Sequence, residues 1–104
     1  MQTAVTFKNM DTSPHYREYI ESKLERLEKL LDDPGVADVT LSIEKLRHIA
    51  EINLSSHRFT VHASEESDGM HAAIDLLVDK VRKQINKKKE KLRGKRDKTV
   101  TEML

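Results

Sequence analysis

The side chains best equipped for chemistry in this chain are cations. Of the 19 residues from Lys80 to Lys98, 11 are Lys or Arg, and the stretch "INKKKEKLRGKRDK" (85–98) holds most of them. Ammonium and guanidinium groups at this density neutralise phosphate. Each contact releases condensed counterion, which gives salt-sensitive binding with little reading of base sequence. A formal net charge of +1 conceals the asymmetry. Residues 1–79 carry 8 Lys and Arg against 15 Asp and Glu, a balance of −7, whereas residues 80–104 carry 11 against 3, a balance of +8. A chain divided in this way points to an acidic partner for its basic end, with nucleic acid foremost. Complementing a helix dipole or keeping a helix face solvated needs only a few of these charges.

The other reactive groups form no recognisable constellation. Of the five histidines, His57 and His62 are predicted on opposite faces of one strand, and His15, His48 and His71 in separate elements. No H-x-H or HExxH spacing occurs, so no metal site is expected. Glu65, Glu66 and Asp68 lack the spacing and glycine placement of a calcium loop and read as a helix-capping turn. Asp75 and Asp79 stand four residues apart with Lys83 continuing the row, which is a pattern for ion pairing rather than acid–base catalysis. Cys is absent, which excludes disulfides and thiolate chemistry and sits comfortably with a reducing cytosol. There is no glycine-rich phosphate loop and no nucleophile motif. No enzyme, cofactor or small-molecule substrate is expected.

The elements that must position the cations are legible from hydrophobic period. At 104 residues, with 37% hydrophobic and 36% charged, the chain is sized for one domain with a thin, two-layer core. "QTAVTFK" (2–8) alternates as a half-buried strand, with Thr3, Val5 and Phe7 on one face. Ser13 then caps a helix that has Pro14 at its first position. Its stripe is Tyr16, Ile20, Leu24, Leu27 and Leu31, and "DDPG" (32–35) stops it. Three amphipathic strands follow at 36–45, 46–56 and 58–64, inward through Val39, Leu41 and Ile43, then Ala50, Ile52 and Leu54, then Phe59, Val61 and Ala63. Short connections make them an antiparallel meander with one wet face. "SEESDG" (64–69) opens a second helix capped by Ser67 or Asp68, with Met70, Ile74, Leu77, Val81 and Ile85 as its stripe. The expected fold is α+β, a β-α-β-β-β-α two-layer sandwich with both helices on one face of a four-stranded sheet. No apolar run nears the roughly 18–20 residues of a membrane span, and the N-terminus lacks a signal peptide's apolar core. A cytoplasmic protein without membrane contact is expected.

On a helical wheel at about 100° per residue, Lys80, Lys83, Gln84, Lys87 and Lys91 form a row along one flank of the second helix's apolar stripe. Arg82, Lys89 and Arg93 run along the other flank. Lys88 falls on the stripe itself, so the last turns are expected to leave the sheet and project from the body. In the first helix Glu18, Glu21, Glu25 and Glu28 cluster outward, while Lys23 and Arg26 lie beside Tyr19 and Leu30. With the helices side by side, Lys23 and Arg26 would join the Lys80, Lys83 and Lys87 row in one groove-like patch.

The second helix and the strand before it, "HASEESDGMHAAIDLLVDKVRKQINKKKEKLR", resemble the signature region of the ribosome hibernation promoting factor and ribosome-associated inhibitor family. "HAS" closes the strand, "MHAAID" opens the helix, and "DK", "RKQ" and "KEKL" follow. "YREYIESKLERLEKLL" is similar to the family's first helix. The resemblance fades after about Arg93, so residues 1–93 are expected to be the ribosome-binding domain and 94–104 a flexible tail. It implies a protein without catalytic activity that binds rRNA of the small (30S) subunit and the 70S ribosome, in the channel of messenger and transfer RNA. Translation would thereby be silenced in slow growth or stress. By position, the implied rRNA-binding residues are Lys23, Arg26, Lys80, Lys83, Lys87 and Lys91, to which the charge pattern adds Arg82 and Lys88. At position 71 the family usually has Tyr, and this chain has His. The residues alone leave two alternatives, a general RNA- or DNA-binding module and a protein-interaction domain that meets an acidic protein surface.

Overall fold

In the computed structural model, which describes residues 1–31 and 34–103, with side chains as far as Lys91, the order is β1 (Gln2–Lys8), α1 (Pro14–Glu28), β2 (Val36–Glu44), β3 (Arg47–Ser55), β4 (Thr60–Ser67) and α2 (Met70–Met103). The strands form one sheet in the order β1-β2-β3-β4, with β1 parallel to β2 and the other neighbours antiparallel. Register follows side-chain parity. Val39 pairs with Ile52 and Leu41 with Ala50, then Ile52 with Ala63 and Leu54 with Val61, so every inward residue faces another. Those residues form one buried cluster with Ile20, Leu24 and Leu27 of α1 and Met70, Ile74, Leu77, Val81 and Ile85 of α2. Both helices therefore cover the same sheet face, as expected. Because β1 and β4 run in the same direction, they leave the sheet at the same end, and α1 and α2 start there together.

Local structure departs from the sequence reading in four places. Ser13 caps α1 as expected, accepting from the Tyr16 amide at 3.2 Å. The helix ends at Glu28, however, and the chain tightens through Leu30 N–H to Leu27 O (2.9 Å) and Leu31 N–H to Glu28 O (3.0 Å). Leu31 is still buried, so its place in the stripe reflects burial rather than helix; Asp32 and Asp33 of the expected stop lie outside the described residues. Second, β4 starts at Thr60 and runs through Ser67. Phe59 precedes it, half-buried against the core, and His57 lies in the preceding turn. Third, Ser67 is thus a strand residue, and the first helical bond of α2 runs from Ala73 N–H to Gly69 O at 3.0 Å. Gly69 holds the capping position expected of Ser67 or Asp68. Fourth, Glu65 and Glu66 extend β4 rather than form a capping turn.

Two joints set close backbone geometry. A Cβ on buried Gly35 would lie 2.9 Å from a Leu31 methyl, so glycine lets the chain enter β2 beneath Leu31 while its carbonyl receives the Gln2 amide. The β2–β3 turn holds Lys45 at φ 57°, a left-handed conformation unusual for a lysine, and leaves Leu46 87% exposed. The boundary expected at 93 and the flexibility expected of 94–104 fall on residues whose side chains lie outside the described ones, although the helix itself runs to Met103.

Candidate nucleic-acid interface

The expected single patch divides into two. The flank of α2 that carries Lys80, Gln84, Lys87 and Lys91 faces the edge strand β4, not α1. Lys80 reaches Glu65 (3.5 Å), Gln84 donates to the His62 carbonyl (3.4 Å) and Lys88 donates to the Thr60 carbonyl (2.7 Å). The opposite flank faces α1. There Lys23 and Arg26 of α1 meet Asp75, Val78, Asp79 and Arg82 of α2 around an open groove of about 160 Å³. Lys23 and Arg26 therefore share their groove with Arg82 and not with Lys80 and Lys87, while Lys83 reaches its rim by pairing with the lining residue Asp79. A wheel gives the angles of the two rows but not which neighbour stands on which side; the sheet order decides that, by placing β4 at the edge.

Four of the eight candidate cations, Lys23, Lys80, Lys83 and Lys88, are engaged within the molecule. Lys23 is half-buried, its ammonium 3.9 Å from Asp75 and 5.3 Å from the centre of the Tyr19 ring. Lys83, 77% exposed at its side chain, pairs with Asp79 at 3.0 Å in the i,i+4 relation the sequence predicted. Lys87 and Lys91 are exposed. Lys88 corrects its expected role: among the described side chains Ile85 is the last buried apolar residue of α2, and one turn later the half-buried Lys88 extends along the core's edge to cap a carbonyl of β4. Lys89, one position on, donates to the Leu30 carbonyl behind α1 at 2.8 Å. The two lysines thus grip the body on opposite sides where the helix leaves it.

The acids are distributed differently from the sequence reading as well. Glu65 reaches from β4 to Lys80 of α2, and Glu66 pairs across the sheet with Arg47 of β3, whose Nε–H donates to it at 2.6 Å. Glu28 pairs with the N-terminal ammonium instead of facing outward with Glu18 and Glu25. Arg17 stacks 5.7 Å over Phe7.

At the shared start of the helices, sequence reasoning missed a cluster. His15 Nε2 lies 2.9 Å from His71 Nε2, and the rings of Tyr16 and Tyr19 meet His71 edge-on at 5.2 and 4.6 Å between centres. The Tyr19 hydroxyl donates to Asp75 at 2.5 Å. That hydrogen bond to a carboxylate, helped by partial burial and the carboxylate's charge, pushes the phenol above the usual tyrosine range. The signal was topological. His15 and His71 are each the second residue of a helix, and both helices begin at one sheet end. Among the described residues no group of three or more His, Cys, Asp or Glu side chains is arranged to hold a metal ion. No helix among them is long and apolar enough to cross a membrane.

Comparison with known proteins gives a consistent result. A family model described as "Sigma 54 modulation protein / S30EA ribosomal protein" matches residues 3–93. The chain is 37% identical over 93 residues to the ribosome hibernation promoting factor of Klebsiella oxytoca, covering 89% of this chain and 98% of that one. It is 36% identical over the same length to that of Escherichia coli K12, again covering 89% and 98%. In structure it is similar to the N-terminal domain of Thermus thermophilus Protein Y (TM-score 0.79, 31% identity, 84% of this chain and 98% of that one). It is also similar to a ribosomal subunit interface protein from Coxiella burnetii (TM-score 0.80, 33% identity, 86% and 99%).

Proposed function

The chain belongs to the sigma 54 modulation protein / S30EA ribosomal protein family, and from that membership we propose that it is a ribosome-associated hibernation factor, a cytoplasmic regulator of translation rather than a catalyst. In this reading the cationic surface of α2, with Lys23 and Arg26 of α1, seats against rRNA of the small (30S) subunit in the messenger and transfer RNA channel. Translation is thereby blocked in slow growth or stress, on isolated 30S subunits and on 70S ribosomes. Residues 1–93 form the binding body and 94–104 the tail.

One observation carries the reading beyond family membership. Among the described side chains of α2, none beyond Ile85 is buried, whereas the cations continue through Lys87, Lys88, Lys89 and Lys91. Lys80, Arg82, Lys83, Lys87 and Lys91 are exposed to a partner, and Lys88 and Lys89 fix the direction in which this helix leaves the body. Cosedimentation with purified 30S and 70S particles at about 100 mM salt, with and without transfer RNA, tests it. The expected result is comigration that transfer RNA competes away. Absence from the particle fractions at that salt overturns the ribosomal reading, and equal affinity for unrelated duplexes replaces it with a general nucleic-acid module.

A further inference from the structure

Three of the cations assigned to RNA are already held by carboxylates of the same molecule: Lys23 by Asp75 at 3.9 Å, Lys80 by Glu65 at 3.5 Å and Lys83 by Asp79 at 3.0 Å. The groove between the helices repeats the theme. Lys23, Arg26 and Arg82 share it with Asp75 and Asp79 over the apolar floor of Val78, so five formal charges leave a balance of +1. A surface built only to attract phosphate has no use for acids at these positions. We propose that Glu65, Asp75 and Asp79 are specificity-determining residues, internal stand-ins for phosphate that suppress binding to arbitrary RNA. The inference rests on the ribosomal reading and names how that site selects its partner.

The physical basis is the difference between a diffuse and a fitted complex. Non-specific binding is hydrated and mobile and responds to the summed field of the surface, which the three carboxylates flatten. In a fitted complex each phosphate stands at a fixed place within reach of a particular ammonium group. Exposed ion pairs are individually weak, so an ammonium leaves its carboxylate for a phosphate presented at closer range. The pairs also spend the idle state keeping the side chains near their working positions. Lys23 is the clearest case, since Asp75 is itself held by the Tyr19 hydroxyl at 2.5 Å and the ammonium lies over the Tyr19 ring. The carboxylates therefore tax a random RNA more than the correct one.

The test compares two variants of equal charge. One carries Glu65→Gln, Asp75→Asn and Asp79→Asn. The other carries Asp38→Asn, Glu44→Gln and Glu51→Gln, exposed acids on the solvent-facing side of the sheet. A third, with Glu65→Gln and Asp79→Asn only, keeps the Tyr19–Asp75 bond in case the triple variant is unstable. Affinities are measured for purified 30S subunits and for a short RNA duplex of unrelated sequence at about 100 mM salt. The paired-acid variants should gain about tenfold on the duplex and less than about threefold on subunits, while the sheet variant shifts both ligands little and equally. A parent that prefers subunits, with paired-acid variants that keep the same preference or match the sheet variant, overturns the inference alone. A parent that binds subunits no better than duplex overturns the ribosomal reading and the inference together.

Discussion

The two halves of α2 obey different rules although they form one helix. From Met70 to Ile85 the sequence satisfies the sheet: Met70, Ala73, Ile74, Leu77, Val78, Val81 and Ile85 are buried, and the rest are exposed apart from half-buried Gln84. Beyond Ile85 none of the described side chains, 86–91, is apolar, and four of those six are lysines. The first half teaches that fold is fixed by a narrow stripe, leaving both flanks free to vary in charge. Past Ile85 the described side chains tie the helix to the body through the polar reach of Lys88 and Lys89 rather than through an apolar stripe, so charge can accumulate there at no cost to the core.

The comparison breaks most readily at the core. Ile74→Ala should cost about 2–5 kcal/mol of stability, because Ile74 is fully buried and its removal leaves a cavity between helix and sheet. The melting temperature in a thermal scan reads this, and an unchanged value refutes the division. Reversing Lys80, Lys83 and Lys87 to Glu should do the opposite. Stability stays within about 1 kcal/mol, whereas affinity for 30S subunits falls by roughly a hundredfold or more and the slope of log affinity against log salt becomes shallower by about two to three. Inhibition retained by that variant shows these three lysines to form only a solvated face.

Two smaller effects sharpen the boundary. Lys88→Ala should cost about 0.5–1.5 kcal/mol of stability through loss of the bond to the Thr60 carbonyl. If chemical denaturation shows no loss while subunit binding weakens as it does for Lys87→Ala, Lys88 belongs to the outer half. The smallest effect concerns Tyr19. Its raised pKa means the stabilisation from the Tyr19–Asp75 bond is fully present below about pH 10, the unfolded value, and is lost as pH rises through the folded value. Spectrophotometric titration in a Tyr16→Phe background should show Tyr19 ionising late. Asp75→Asn should bring it earlier, and an identical curve for the two proteins refutes the link.

Much of the fold was legible because strand parity and helical stripes are one-dimensional signals. Val39, Leu41 and Ile43 are odd-numbered while Ala50, Ile52 and Leu54 are even, and that change of parity marks the hairpin at Lys45 although its turn contains neither Gly nor Asn. The two cationic rows of α2 were equally legible as angles. Their assignment to neighbours was not, because it depends on which strand lies at the sheet edge, a fact of three-dimensional order. The meeting of His15 with His71 was hidden for the same reason, since 56 residues separate them and only the common direction of β1 and β4 joins their helices. Glu65 and Glu66 were misplaced because a polar strand end and a capping turn look alike in composition.

The grip of Lys88 and Lys89 has a mechanical consequence. α2 spans 34 residues, roughly 50 Å at about 1.5 Å per residue. A rod of that length is a lever about its anchors at Lys88 and Lys89, and a tilt of about 10° at Lys89 displaces a point four turns further on by roughly 4 Å. That is more than a hydrogen bond tolerates. The ammonium groups of Lys88 and Lys89, tied to Thr60 on one side and Leu30 on the other, act as paired guy lines at the fulcrum. With both anchored, the two sides resist tilt in opposite senses; cutting either should widen the range of directions the arm samples, with every charge on it unchanged.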